Sequence, residues 1–124
     1  MALVQFKDGV KGTYEAGNQT LQVGEGGLAP YDMTYGALSA CLYSNFLTHA
    51  KAAGAEIKGT DVYVDDRKRS GVPATLEHVD ILFRVDSDAD EAVLQDCLKK
   101  ATETCSMFQT IACVAEMEYR AEKK

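Results

Sequence analysis

One continuous stretch, residues 30–53, constrains the fold of this chain more than any other. It runs PYDMTYGALSACLYSNFLTHAKAA, and its first half is apolar on almost every side of a helix. Pro30 suits the first turn of a helix, and Gly54 directly after the stretch is a common helix end. A helix that is apolar nearly all round is typically buried. The stretch therefore predicts a long central helix with one thiol, Cys41, at its middle.

The length and charge of the chain limit its fold and its partners. At 124 residues one domain can bury about two-thirds of the surface of the unfolded chain, so we predict a single domain over residues 1–124. The net charge of −6 argues against nucleic acid or an anionic membrane as a partner. The first residues lack the apolar core of a signal peptide, and no apolar run could cross a bilayer. We therefore expect a cytoplasmic protein.

Alternating apolar and polar residues predict strands on both sides of the helix. Before it, residues 4–6, 10–16 and 20–23 are separated by turn residues and predict a three-stranded antiparallel meander. After it, residues 57–64 and 76–85 predict two strands joined by a charged loop, and the second should turn alternate apolar residues inward.

The last third of the chain predicts a second helix, a short helix and a final strand. The second helix should begin near residues 86–88, where Ser87 with Asp90 resembles a capping box. Residues 113–119 alternate as a strand does. This order favours an α+β fold with mostly antiparallel sheets. The central helix has more apolar surface than one thin sheet can cover, which favours a second subunit on its other side.

Four cysteines in a chain without a signal peptide are expected to be free thiols. Their spacing has no CxxC pair and no Cys/His knuckle, so we expect no metal site. Cys97 and Cys113 lie on apolar faces and are predicted core residues. Cys105 opens a helix, where backbone N–H groups favour a thiolate, whereas apolar surroundings should raise the pKa of Cys41 unless an arginine reaches it. From the residues alone, two core cysteines are favoured over a redox pair.

The two histidines are predicted to be surface residues. His49 lies eight residues beyond Cys41, about 12 Å along a helix axis, which is too far for a direct Cys–His pair within one subunit. His78 shares a strand face with Asp80 and Arg84, and an exposed polar cluster accounts for it.

The sequence around Cys41 and Cys105 resembles the OsmC/Ohr family, the osmotically inducible and organic hydroperoxide resistance proteins. It has a glycine-rich turn and proline (GEGGLAP, residues 24–30), a small-residue run that ends in Cys41, and a Cys105 followed by Ser106 and Met107. The order of predicted elements agrees, so the resemblance covers essentially the whole chain. It implies an OsmC-like α+β fold and an intertwined homodimer, with the cysteine-bearing helices packed centrally and two equivalent sites at the subunit interface.

The resemblance also implies a chemistry. By position, Cys41 would be the peroxidatic cysteine, which attacks a small organic hydroperoxide and becomes a sulfenic acid. Cys105 would be the resolving cysteine, which condenses with that acid to a disulfide. An external dithiol would reduce the disulfide, and no cofactor is implied.

This chain departs from the Ohr-type pattern at two points. Ohr-type members carry a glutamate after the helix-opening proline and an arginine in the N-terminal strands, and the pair supplies positive charge near the thiolate. Here Tyr31 and Asp32 follow the proline, and no arginine precedes Arg67. The candidates for a replacement arginine are Arg67, Arg69, Arg84 and Arg120. We therefore predict a divergent OsmC-like thiol-dependent peroxidase. The alternative is a non-catalytic OsmC-like dimer that binds a small apolar or thiol-reactive ligand at the subunit interface.

Overall fold

The structure has the predicted α+β architecture, with two three-stranded sheets and three helices. It is a computed structural model that describes all 124 residues. The chain divides into two compact units, Met1–Ala37 and Leu38–Lys124. The elements in chain order are β1 (Leu3–Lys7), β2 (Lys11–Ala16), β3 (Gln19–Gly24), α1 (Pro30–Ala52), β4 (Ile57–Lys68), β5 (Leu76–Ser87), α2 (Glu91–Thr104), α3 (Ser106–Ala112) and β6 (Glu116–Lys123). No helix is both long and apolar enough to span a membrane.

The first unit is built on an antiparallel meander whose apolar side chains are mostly exposed. β1 pairs with β2 and β2 with β3, as predicted. Val23 is the one buried apolar side chain of these strands, whereas Leu3, Phe6 and Leu21 are 49%, 59% and 44% exposed. A three-stranded sheet needs a covered apolar face to be stable. This sheet therefore leaves apolar surface that a second surface can cover.

A tight glycine turn joins β3 to α1. The Gly24 N–H donates to the Leu28 carbonyl at 2.9 Å, and the Leu28 N–H donates to the Gln22 carbonyl at 2.9 Å. Gly24 has a φ of 78°, and a Cβ at that position would collide with the backbone of Val10. Only glycine combines that conformation with that close approach. The first glycine of the GEGGLAP run is therefore required by the turn itself.

α1 confirms the predicted long helix and ends one residue earlier, at Ala52. Its buried residues recur every four positions and lie on one face: Leu38, Leu42, Phe46 and Ala50. Leu47, on a different face, is 38% exposed. The helix is therefore buried along one stripe of a single chain, not on nearly every side as its composition indicated.

The second unit contains a mixed sheet with β5 at its centre. β4 pairs with β5 antiparallel, and β6 pairs with β5 in parallel. Three of the four strand pairs are antiparallel, as predicted. The β5–β6 pair is parallel because α2 and α3 carry the chain back to the end at which β5 began. β4 extends to Lys68, into the predicted charged loop. It is an edge strand, which carries charged side chains without burying them.

The core of the second unit lies between one face of this sheet and the helices. Its largest contributors are Val79, Ile81, Phe83 and Val85 of β5, Leu94, Leu98 and Ala101 of α2, and Leu42 and Phe46 of α1. The four β5 residues are those predicted to point inward. The ring of Phe46 packs edge-on against Phe83 with centroids 5.2 Å apart. Cys97 is buried as predicted, and burial raises the pKa of its thiol.

Two local predictions are wrong. Ser87 does not cap a helix: it lies at the end of β5, and its hydroxyl donates to the Glu56 carbonyl at 2.6 Å. α2 begins later, at Glu91. Cys113 is exposed and not in the core, because α3 ends at Ala112 and β6 begins only at Glu116, which leaves this thiol in the connection.

Candidate functional site

Cys41 and Cys105, the two cysteines paired by the family resemblance, meet in the second unit. The Cys105 thiol donates a hydrogen bond to the Cys41 sulfur, and the two sulfurs are 3.1 Å apart. Both are free thiols. Cys41 is half-buried, whereas Cys105 is fully buried. Because a disulfide bond is about 2 Å long, a small movement would suffice to join them.

Each thiol is held by a different local structure. Cys41 projects from α1 beside the buried stripe. Cys105 lies between α2 and α3, and its N–H donates to the Ala101 carbonyl at 2.9 Å, which closes α2. Its sulfur accepts a hydrogen bond from the Phe108 N–H at 3.4 Å and so caps α3. The junction of the two helices therefore fixes the Cys105 side chain against Cys41.

The surroundings of Cys41 favour its thiolate. The backbone N–H of Met107 and then the hydrogen bond from Cys105 lower the pKa of Cys41, and Ser106 acts in the same direction. The N–H groups of these residues belong to the first turn of α3, where they have no partner within the helix. The predicted rise in the pKa of Cys41 is therefore wrong, because unpaired N–H groups stabilise the negative charge without an arginine.

Cys105 has the opposite shift. Burial, followed by the hydrogen bond to Cys41, raises the pKa of Cys105 to about 11. The N–H of Phe108 lowers the pKa but does not compensate. The prediction that the helix start favours a thiolate at Cys105 is therefore wrong: it favours one at Cys41. At neutral pH Cys105 is a neutral thiol, able to donate to its neighbour.

None of the four candidate arginines contacts Cys41. Their partners are Glu77 for Arg67, the Leu76 and Val114 carbonyls for Arg69, and Glu122 for both Arg84 and Arg120. These contacts lie within the second sheet and the connections at its ends. The positive charge expected beside the thiolate is therefore replaced by neutral N–H donors.

At the start of α1, Asp32 stabilises the helix. Its carboxylate accepts a hydrogen bond from the Ala29 N–H at 3.0 Å, which satisfies a donor that the helix leaves unpaired. Tyr31, which stands in the glutamate position of the Ohr-type pattern, packs against Tyr35 with ring centroids 5.9 Å apart. The first turn of α1 is therefore held by a cap and an aromatic pair.

A chain of polar side chains that the sequence analysis missed leads to Cys41. Asn45 donates to the Cys41 carbonyl at 2.9 Å, and its Nδ2 is 3.9 Å from the Cys41 sulfur. Thr104 donates to Asn45 Oδ1 at 2.8 Å, and His49 Nε2 lies 3.2 Å from the Thr104 hydroxyl. The signal was present in the sequence, because Cys41, Asn45 and His49 are spaced by four residues and share one helix face. His49 is half-buried and reaches Cys41 only through this chain.

No group of three or more His, Cys, Asp or Glu side chains could hold a metal ion. The first unit contains an apolar surface cavity of about 580 Å³, lined by Phe6, Val10, Val23, Leu28 and Met33 among others. A cavity with this lining can take a small apolar molecule or an apolar side chain. The Cys41–Cys105 pair and this cavity are the two features that could react with or bind a small molecule.

Solved structures with the same fold cover almost the whole chain. A hypothetical protein from Aquifex aeolicus has a TM-score of 0.92 at 18% identity, with 100% of this chain and 95% of that chain covered. An OsmC-like protein from Mycoplasma pneumoniae has a TM-score of 0.89 at 11% identity, with coverage of 99% and 95%. An organic hydroperoxide resistance protein from Elizabethkingia anophelis has a TM-score of 0.74 at 18% identity, with coverage of 99% and 94%. At these identities the likeness shows a shared fold.

The family itself is shown by the sequence. No curated protein matches the chain. A family model described as OsmC-like protein matches residues 23–120, a segment that begins in β3, includes both Cys41 and Cys105, and ends within β6. This chain belongs to the OsmC-like family.

Proposed function

We propose that this protein is a thiol-dependent peroxidase that reduces small organic hydroperoxides, with Cys41 as the peroxidatic and Cys105 as the resolving cysteine. The observation that carries the proposal is the 3.1 Å separation of the two sulfurs, with the accepting thiol on the more accessible side. The opposite directions of the two pKa shifts support this division of roles.

In the first step the Cys41 thiolate attacks the terminal oxygen of the hydroperoxide. The sulfur–oxygen bond forms as the oxygen–oxygen bond breaks, so the sulfur is oxidised to a sulfenic acid and the peroxide is reduced to an alcohol. The Cys41 thiol releases one proton when it ionises, and the leaving alkoxide takes up one proton to become the alcohol, so the protons balance. Because Cys41 is half-buried and Cys105 fully buried, the hydroperoxide reaches Cys41 first.

In the second step Cys105 attacks the Cys41 sulfur. The sulfur–sulfur bond forms, the sulfenic oxygen leaves as water with the Cys105 proton, and an external dithiol then reduces the disulfide by exchange. The resting pKa of Cys105 is raised partly by Cys41 itself, through their hydrogen bond and the Cys41 charge. Oxidation of Cys41 removes that charge, which makes Cys105 easier to ionise when its thiolate is needed.

The working unit we propose is a homodimer. The exposed Leu3, Phe6 and Leu21 of the first sheet and Leu47 of α1 are apolar residues that a second copy would cover. Exposed apolar side chains of this kind favour a protein–protein contact.

The test is hydroperoxide consumption with a dithiol. Wild-type protein is expected to consume tert-butyl hydroperoxide in the presence of dithiothreitol, and Cys41→Ser to lose this activity because no other thiol can take its place. Cys113→Ser is the matched control and should keep full activity, because Cys113 is exposed and its Sγ contacts only the Gln109 carbonyl. Oxidised wild-type protein should show a Cys41–Cys105 disulfide by mass spectrometry. Folded wild-type protein that consumes no organic hydroperoxide with any dithiol would refute the proposal.

The apolar cavity of the first unit favours one second candidate, an OsmC-like dimer that binds a small apolar ligand. The cavity is lined almost entirely by apolar atoms of residues such as Phe6, Leu28 and Met33. This function would follow if the protein had no peroxidase activity but bound an apolar fluorescent probe, and if Met33→Asp abolished that binding.

A further inference from the structure

Asn45, Thr104 and His49 form a hydrogen-bonded chain that ends at Cys41. The two proposed reaction steps do not involve these three residues. We propose that the side-chain amide of Asn45 donates a hydrogen bond to the peroxide oxygen as that oxygen is transferred to the Cys41 sulfur. Thr104 and His49 are positioning residues that hold the amide in place. The inference rests on the proposed peroxidase function and adds the group that donates a hydrogen bond to the transferred oxygen.

The orientation of the Asn45 amide follows from its partners. Its two ends can be told apart by what each end can donate or accept. One end lies 2.9 Å from the Cys41 carbonyl, which can only accept, so that end must be the NH₂ group. The other end, Oδ1, must therefore accept from the Thr104 hydroxyl at 2.8 Å. The amide can point its NH₂ group only toward Cys41.

The Thr104 hydroxyl fixes the proton on His49. A hydroxyl has one proton, and Asn45 Oδ1 at 2.8 Å is closer than the Ala101 and Lys100 carbonyls at 3.3 and 3.4 Å. With that proton committed to Asn45, the Thr104 oxygen can only accept from His49 Nε2, 3.2 Å away. His49 therefore carries a proton on Nε2, and all donors of the chain point toward Cys41.

One N–H of Asn45 remains available for the reaction. The amide has two N–H groups, and one is engaged by the Cys41 carbonyl. The nearest acceptor for the other is the Cys41 sulfur at 3.9 Å, which is a long distance for an N–H to sulfur bond. An N–H to oxygen bond is 2.7–3.2 Å long. An oxygen attached to the sulfur can lie beside the line that joins Nδ2 and the sulfur, within hydrogen-bond distance of Nδ2.

Asn45 lies on the solvent side of the site, where an incoming peroxide would reach Cys41. Asn45 and Cys41 are both half-buried, so they border solvent together, while Cys105 lies behind them. The resting thiolate already has its donors in Met107, Ser106 and Cys105. A donor placed to one side of the sulfur, at a longer distance, therefore acts on the oxygen more than on the thiolate.

The experiment compares two reactions of Cys41 in the full-length protein. Asn45→Ala is expected to slow the oxidation of Cys41 by tert-butyl hydroperoxide severalfold, up to about tenfold, the cost of losing one hydrogen bond to the reacting oxygen. Its alkylation by iodoacetamide, which transfers no oxygen, should keep the wild-type rate and pH dependence. Ser44→Ala, an exposed neighbour on α1, is the matched control and should change neither rate.

Variants that keep the shape of the chain separate chemistry from folding. Asn45→Asp retains the size of the side chain but loses the NH₂ group, and it should be slow with peroxide even if Asn45→Ala is unstable. Thr104→Val should slow oxidation in the same way, because without the hydroxyl the Asn45 amide is no longer held in place. Thr104→Ser keeps the hydroxyl and should be oxidised at the wild-type rate. His49→Ala should have a smaller effect in the same direction.

Three outcomes would overturn the inference. Wild-type oxidation rates in Asn45→Asp would show that no donor is needed. Equal losses in oxidation and alkylation would assign Asn45 a structural role in tying α1 to the end of α2. A wild-type protein that is alkylated normally but inert to every organic hydroperoxide would remove the reaction itself, which distinguishes failure of the proposed function from failure of the role of Asn45.

Discussion

The two identical side chains of Cys41 and Cys105 have different properties because the Met107 N–H favours one thiolate, burial disfavours the other, and a hydrogen bond joins the two. The bond lowers the pKa of the accepting thiol and raises that of the donating thiol. Because the thiolate is the nucleophile, Cys41 is the more nucleophilic of the two thiols. In the proposed reaction, Cys105 stays protonated and buried until Cys41 has reacted. Residue identity alone would not distinguish the two roles.

The pH dependence of Cys41 alkylation tests this bond. Removal of the donor in Cys105→Ala should raise the pKa of Cys41 toward the ordinary thiol value, so less thiolate is present below that pKa. Alkylation at pH 7 should slow severalfold and its midpoint should move to higher pH, since each pKa unit is a tenfold change in thiolate. Cys105→Ser keeps a hydroxyl donor and should lie closer to wild type. Identical midpoints, followed on the Cys41 peptide by mass spectrometry, would contradict the prediction.

Among the secondary-structure elements, α3 contributes most to the site although it is the shortest helix. It has seven residues, and its first turn supplies the N–H groups of Ser106 and Met107 to the Cys41 thiolate. These N–H groups are free because the first turn of any helix leaves donors unpaired. The helix starts at the site because Cys105, at its N-cap, has extended backbone angles (φ −84°, ψ 111°).

A proline at the first position of α3 should remove one of these donors without disrupting the helix. Proline is well tolerated there, and the residue before it must be extended, as Cys105 already is. Ser106→Pro should therefore raise the pKa of Cys41 while the circular dichroism spectrum remains that of wild type. Ser106→Ala keeps the backbone N–H and loses only the hydroxyl, so its shift should be smaller. A shift in Ser106→Ala as large as that in Ser106→Pro would show that the backbone N–H contributes nothing.

At the scale of the whole molecule, a single chain leaves apolar surface exposed to solvent. The first sheet buries one apolar side chain, and α1 buries one stripe. In contrast, the outward residues of the second sheet are largely charged and paired, as in the Lys124–Asp61 and Arg84–Glu122 ion pairs. The proposed homodimer, in which a second copy covers that apolar surface, would account for this difference between the two sheets.

The proposed dimer predicts an effect of charge on the first sheet. Phe6→Asp should shift the protein from dimer toward monomer in analytical ultracentrifugation, because a carboxylate at a buried interface is strongly unfavourable. Tyr63→Asp is the matched control, since Tyr63 is a similarly exposed aromatic residue (54% against 59%) on the charged second sheet. A wild-type protein that sediments as a monomer at micromolar concentration would contradict the proposed dimer.

Local patterns in the sequence determined the order of elements, the extent of α1 and the inward face of β5. Each of these features follows from the spacing of apolar residues within one segment, so no other part of the chain is needed to predict it. The exposed position of Cys113 and the parallel pairing of β6 could not be predicted in this way, because each depends on where a distant segment begins or ends.

The helix that contains Cys41 was visible in the sequence, but the character of its thiol was decided by tertiary structure. Sequence reasoning assigned a raised pKa to Cys41 and a lowered one to Cys105, and folding reverses both. The same holds for Asn45, whose proposed role depends on Thr104, a residue 59 positions away. The pKa of a thiol depends on burial and on the donors within a few ångströms. Those neighbours come from segments that only the folded chain brings together.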